Sequence, residues 1–135
     1  MEAAGRLRQI GERDFVSTPE SIGDARDFTR AVLRGDEVDE ATIDDVTLAV
    51  SELVTNAVGH GSGGPVTVRI KSAPSEVVCV VRSTGGPLPD PATWTSPGVS
   101  GRTGRGLAIV RALADAVVAE VAGGVVVLRC SFRRR

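Results

Sequence analysis

Three polar residues recur every four positions in the stretch LAVSELVTNAVGHG, Leu48 to Gly61. They are Glu52, Asn56 and His60, on what otherwise reads as an aliphatic helix. Residues four apart stack on one side of a helix, so the three side chains project in one direction. A carboxylate beside an amide on a rigid helix can pair a general base with an oxygen ligand for Mg²⁺, a hard cation that keeps most of its waters. Taken alone, a solvated face accounts for the pattern better, because Glu52 and Asn56 lie opposite the stripe of Val46, Val50 and Leu53. The chemistry needs a phosphate site close by. His60, beside Gly59 and Gly61, reads as a helix C-terminal capping or packing group rather than a catalyst.

A second stretch supplies the phosphate site. In SGRTGRGLAIV, Ser100 to Val110, Gly101, Gly104 and Gly106 open a helix whose N-terminal N–H groups and dipole favour an anion. The plainer alternative is that these glycines merely end a loop. The spacing is neither GxGxxG nor GxxxxGK[ST], which excludes the dinucleotide fingerprint and the P-loop. A third stretch, VVRSTGGPLPD, carries an apolar run through Ser83 into a Gly/Pro turn at Gly85.

The elements that must position these residues follow from pattern. Residues 1–14 are charged and poorly patterned and read as a loose leader, with a short strand at Asp14 to Ser17. Ser17 or Thr18, Pro19 and Glu20 open an amphipathic helix ending near Gly35, with Ile22, Ala25, Phe28, Val32 and Leu33 on one stripe. A second helix runs from about Glu40 to Val58, with Ile43, Val46, Val50, Leu53 and Ala57 facing the core. PVTVRIK alternates as a half-buried strand, and the continuously apolar VVCVVR reads as a central strand covered on both faces and antiparallel to the first.

From Gly85 to Thr103 the chain carries four Gly and four Pro, so a helix or ladder cannot persist there. So long a connection in a compact domain reads as a lid or binding loop. Its Trp94 either anchors the closed loop or meets a partner. GRGLAIVRALADA then forms a helix with Leu107, Val110, Leu113 and Ala114 inward, and VVAEV and VVVLRCSF form a hairpin turned by Gly123 and Gly124. The sum is a single domain over residues 15–132, a two-layer α/β sandwich with helices on one face of a mixed, largely antiparallel sheet.

Composition bounds the function. The chain has 135 residues, a formal net charge of -1 and 41% hydrophobic residues, enough for one aliphatic core and no global field for nucleic acid. The closing Arg133 to Arg135 reads as a solvated basic tail. Cys79 and Cys130 lack metal or redox spacing and read as buried free thiols suited to a reducing cytoplasm. The N-terminus lacks a signal-peptide core and the chain has no apolar run of the roughly 18 residues a membrane span needs.

In the order of its boxes the sequence resembles the GHKL-type ATPase domains, the Bergerat fold of histidine kinases, gyrase and Hsp90. It is most similar to the compact bacterial anti-sigma factor serine/threonine kinases of the SpoIIAB and RsbW group. By that likeness SELVTNAVGHG is the N box, in which Asn56 holds Mg²⁺ and Glu52 is the general base. STGGPLPD, with Ser83 and Gly85, stands at the first glycine box, and GRTGRGLAIV at the second. There Arg102, Gly104, Arg105, Gly106 and Leu107 meet the nucleotide, under an ATP lid.

The resemblance implies ATP with Mg²⁺, a sigma factor or other client, an anti-anti-sigma (STAS-type) antagonist as phosphoacceptor, and a possible homodimer through the first helix and strand. A catalytically weak or nucleotide-free binding module is the alternative. Two positions depart from the family. Ser83 stands where the family has an aspartate for the adenine amino group, and Val125 and Val126 follow the hairpin turn where a threonine is common. Loss of a charge-assisted hydrogen bond implies ATP binding weaker by about tenfold to a hundredfold.

Overall fold

The computed structural model of the chain describes residues 6–85 and 101–135, the side chains of 101–104 excepted. Five strands and three helices follow the order β1 (Arg8–Phe15), α1 (Glu20–Gly35), α2 (Glu40–His60), β2 (Val66–Ala73), β3 (Glu76–Thr84), α3 (Gly101–Leu113), β4 (Ala116–Ala122) and β5 (Val125–Arg133). The sheet runs β1-β2-β3-β5-β4 and each neighbouring pair is antiparallel, so the expected mixed sheet is antiparallel throughout. β4 and β5 close on Gly123 and Gly124 at φ 59° and 78°, the left-handed region that glycine enters without a Cβ penalty.

Alternation in the strands sends Val66, Val68 and Ile70 of β2, Val77, Cys79 and Val81 of β3, and Val126, Leu128, Cys130 and Phe132 of β5 to one face. There they meet Ala25 and Leu33 of α1, Ile43, Val46, Val50 and Leu53 of α2, and Leu107 and Val110 of α3 in one core. Cys79 and Cys130 are free and buried, as expected. They stand directly opposite in the β3–β5 register, and their mutual hydrogen bond together with burial holds the Cys79 thiol well above its ordinary pKa. Helices cover only this side. Val78 and Val80 point the other way and are still buried, between Lys71 and Arg69 of β2 and Ser131 and Arg129 of β5, whose apolar stems shield them.

Both chain ends differ from expectation. Arg8 to Asp14, read as leader, belong to edge strand β1, which pairs along β2 from Arg8↔Ser72 to Phe15↔Val66. The closing arginines are not all a solvated tail. Arg133 ends β5, Arg134 donates through Nη1 to Asp36 Oδ2 at 3.2 Å and to Ser72 Oγ at 2.9 Å, and Arg135 reaches Asp45 at 2.9 Å. Asp36 also accepts from Arg8 at 2.8 Å and from Ser72 at 2.7 Å, so one carboxylate ties β1, β2, the end of α1 and the C-terminus.

Candidate nucleotide site

α2 is the element on which the site rests. Its N-cap is Asp39, whose carboxylate accepts from the Thr42 N–H at 2.9 Å and from the Thr42 hydroxyl at 2.7 Å. The hydroxyl bond, ahead of the N–H bonds, holds the Asp39 carboxyl below its ordinary pKa. The helix continues to His60, two residues past the expected end, and carries the expected core face.

The polar ladder divides along its length. Glu52 is half-buried, Asn56 is buried at 8% exposure, and His60 is exposed. Asn56 is therefore not on a solvated face, because α3 and the end of β3 close over that side of α2. Its Nδ2 and the Thr47 hydroxyl are the buried side-chain atoms without a hydrogen-bond partner among the described residues. An unpaired buried amide N–H costs about 1–3 kcal/mol.

Glu52 meets α3. A Cβ on Gly106 would lie 3.5 Å from both Glu52 carboxylate oxygens, ordinary van der Waals contact, so α3 passes close beside the carboxylate at this position. This joins the two boxes far apart in sequence. Since α3 begins at Gly101, Gly106 lies in its second turn, beyond the first four N–H groups that lack intrahelical partners. Arg105 is exposed on the same helix, and Leu107 is fully buried in the core rather than open to a ligand. The side chain of Arg102, the surroundings of Gly104, and the expected lid with Trp94 lie outside the described residues.

A clasp of backbone and hydroxyl groups holds the other end of the site. Gly61, just past α2, bridges Gly85, just past β3. The Ser62 N–H donates to Thr84 O at 3.0 Å, the Ser62 hydroxyl to Thr84 Oγ1 at 2.8 Å, and the Gly85 N–H to Gly124 O at 2.9 Å. A Cβ on Gly61 would stand 2.3 Å from Ala57 O and 3.0 Å from Thr84 O. Sequence reasoning placed Gly85 here but missed Gly61, Ser62, Thr84 and Gly124. The cluster of glycines and hydroxyls directly after the α2 pattern was the available signal.

Behind the clasp lies a cavity of about 30 Å³, room for a water or two. Leu53, Val81, Val126 and Leu128 give it aliphatic walls, and Asn56, His60, Ser83 and Thr84 also line it. The Ser83 hydroxyl has no partner among the described residues. Of the two hairpin valines, Val126 faces this cavity opposite Ser83. Val125 pairs with Thr84 and does not line the cavity, so it is Val126 that removes a polar contact there.

The cavity joins aliphatic walls to the polar side chains of Asn56, His60, Ser83 and Thr84, and Glu52, one helical turn before Asn56, meets α3 at Gly106. The described residues contain no group of three or more His, Cys, Asp and Glu placed to hold a metal. Mg²⁺ carried on phosphates needs no such cage. The Asn56 side-chain oxygen would be the protein ligand for such an ion, whereas the unpartnered Asn56 atom is the Nδ2 donor, which suits a hydrogen-bond acceptor rather than the cation.

An open antiparallel sheet under three helices, with this site between α2, β3 and α3, defines a nucleotide-site α/β sandwich. A family profile described as a histidine kinase-like ATPase domain matches residues 15–130. The chain belongs to that family. Among solved structures it is similar to the RsbU and RsbW domains of Rv1364c from Mycobacterium tuberculosis, at 21% identity and a TM-score of 0.70. That match covers 92% of this chain and 32% of the other, so the chain spans about a third of the structure it resembles. A search of curated proteins finds no match.

Proposed function

We propose that the protein binds ATP with Mg²⁺ and acts as an anti-sigma factor-like regulator. It would hold a sigma factor or similar client and phosphorylate a serine or threonine of a STAS-type antagonist. One observation carries the reading: buried Asn56, whose Nδ2 lacks a partner among the described residues, lies one helical turn from Glu52, which meets Gly106 in the second turn of α3. Bound Mg²⁺ supplies neutralisation of phosphate charge. Asn56 would provide its protein oxygen, and the α3 N-terminus, Arg102 and Arg105 would bind the phosphates.

Glu52 accepts the proton of the incoming hydroxyl. The oxygen–Pγ bond forms as the bond from Pγ to the bridging oxygen breaks, and ADP leaves. Half-burial against Gly106 keeps Glu52 in place without removing it from solvent.

Glu52→Ala is expected to slow phosphate transfer to an antagonist by about 10²–10⁴-fold while nucleotide binding persists. Transfer at the wild-type rate in that variant would exclude Glu52 as the base. The small apolar slot, without a carboxylate, favours a second reading in which the fold works through protein contacts alone. Calorimetric titration separates the two. Binding of Mg-ATP at micromolar concentration supports the first, and silence at millimolar nucleotide supports the second.

A further inference from the structure

We infer that two copies of this chain pair through the outer edge of β4, antiparallel about a two-fold axis at Ala119, to make one continuous sheet. β4 ends the sheet, and among the described residues nothing pairs with its outer side. The two sheet edges differ in kind. β1 carries Arg8, Glu12, Arg13 and Asp14 and a register shift between Gln9 and Gly11, features that keep an edge from pairing. AVVAEVA of β4 has Glu120 as its one charge and lacks proline, and it leaves Val118 50% and Val121 44% exposed.

The register on β5 decides which backbone groups face out. Gly123 and Gly124, both at positive φ, make a two-residue turn, so Ala122 and Val125 exchange both backbone hydrogen bonds. By alternation so do Glu120 with Val127 and Val118 with Arg129, which turns the N–H and C=O groups of Val117, Ala119 and Val121 outward. With the axis at Ala119, all of these find partners: Ala119 on Ala119, and Val117 on Val121 of the second copy. Moving the axis to Glu120 sets two carboxylates face to face, and moving it to Val118 sets Val121 against Asp115.

The side chains agree with this register. On the helix side, exposed Val121 covers the partly buried Val117 of the second copy. On the open face Val118 meets Glu120 of the second copy, with Arg129 next in the same row. Arg129 stands two strands, about 10 Å, from that carboxylate, a span the two side chains cover together. Among the described residues neither Arg129 nor Glu120 has an ion-pair partner, and the two-fold makes the pair twice.

The test is sedimentation velocity of the full chain from about 5 µM to about 500 µM, with amide exchange followed over the same range. Reversible dimerisation is expected, with exchange slowed at Val117, Ala119 and Val121 and unchanged along β1. Glu120→Arg sets two guanidiniums against each other and should weaken the dimer at least about tenfold, and adding Arg129→Glu should restore it to within about threefold of wild type. A chain that stays monomeric at about 500 µM overturns the inference. So does a dimer protected along β1 instead, or one that Glu120→Arg leaves unweakened. This edge carries no residue of the nucleotide site, so these outcomes leave the proposed function untouched.

Discussion

Asn56 sits where stability and ligand binding make opposite demands. A buried amide with an unpaired N–H is a cost to the folded chain, while under the proposed function the oxygen of the same amide would hold the metal and the N–H would be left for a nucleotide acceptor. Asn56→Ala is therefore expected to leave unfolding stability within about 1 kcal/mol of wild type while abolishing Mg-nucleotide binding. Chemical denaturation and titration of the same preparation check it, and a loss of several kcal/mol would make the amide structural. Asp39 shows the reverse economy. Its carboxyl is held below the ordinary value of 3.8 by the Thr42 hydroxyl bond, so its contribution is present above that value and is lost as pH falls through the lower folded-state pKa. Asp39→Asn keeps the N-cap acceptor without the titration. Stability followed by thermal melts should then fall less steeply in the variant below about pH 4.

The helices and strands matter to the site through where they stop. α2 ends at His60 because Gly61 turns into the bridge with Gly85, and that bridge, rather than either element alone, holds the rim of the apolar cavity. Gly61→Ala would drive a methyl into the Ala57 carbonyl. It should cost about 1–3 kcal/mol and loosen the Ser62–Thr84 clasp, seen as a lower melting temperature and faster amide exchange at Ser62 and Gly85.

α2 and its core face were legible in sequence because a 3.6-residue period of Ile43, Val46, Val50, Leu53 and Ala57 is a strong signal. β1 was not. RQIGERDF is a charged edge strand whose ladder bonds come from β2 and whose register shifts between Gln9 and Gly11, so its residues show little alternation to read.

Across the whole molecule, the most distant contacts gather on Asp36. Arg8 from the first strand, Ser72 from the second and Arg134 from the chain end converge on this carboxylate, whose side chain is 12% exposed. Asp36→Ala strands a half-buried guanidinium and a buried hydroxyl and should cost about 2 kcal/mol in urea unfolding. Arg8→Ala, which removes the 70% exposed partner, should cost under about 1 kcal/mol. Equal effects would show that the cluster does not act as a unit.

By itself the sequence determined the three helices and the strands β2 to β5, the aliphatic core face of α2, the free buried thiols and the candidate pair Glu52 and Asn56. These follow from periodicity and residue chemistry within short windows. Only the tertiary structure decided that Asn56 is buried and unpaired, that Gly106 meets Glu52, that Val126 rather than Val125 faces Ser83, and that Arg134 closes on Asp36. Each of these depends on strand register or on helix-to-helix approach between segments remote along the chain, and local pattern carries no distance between them.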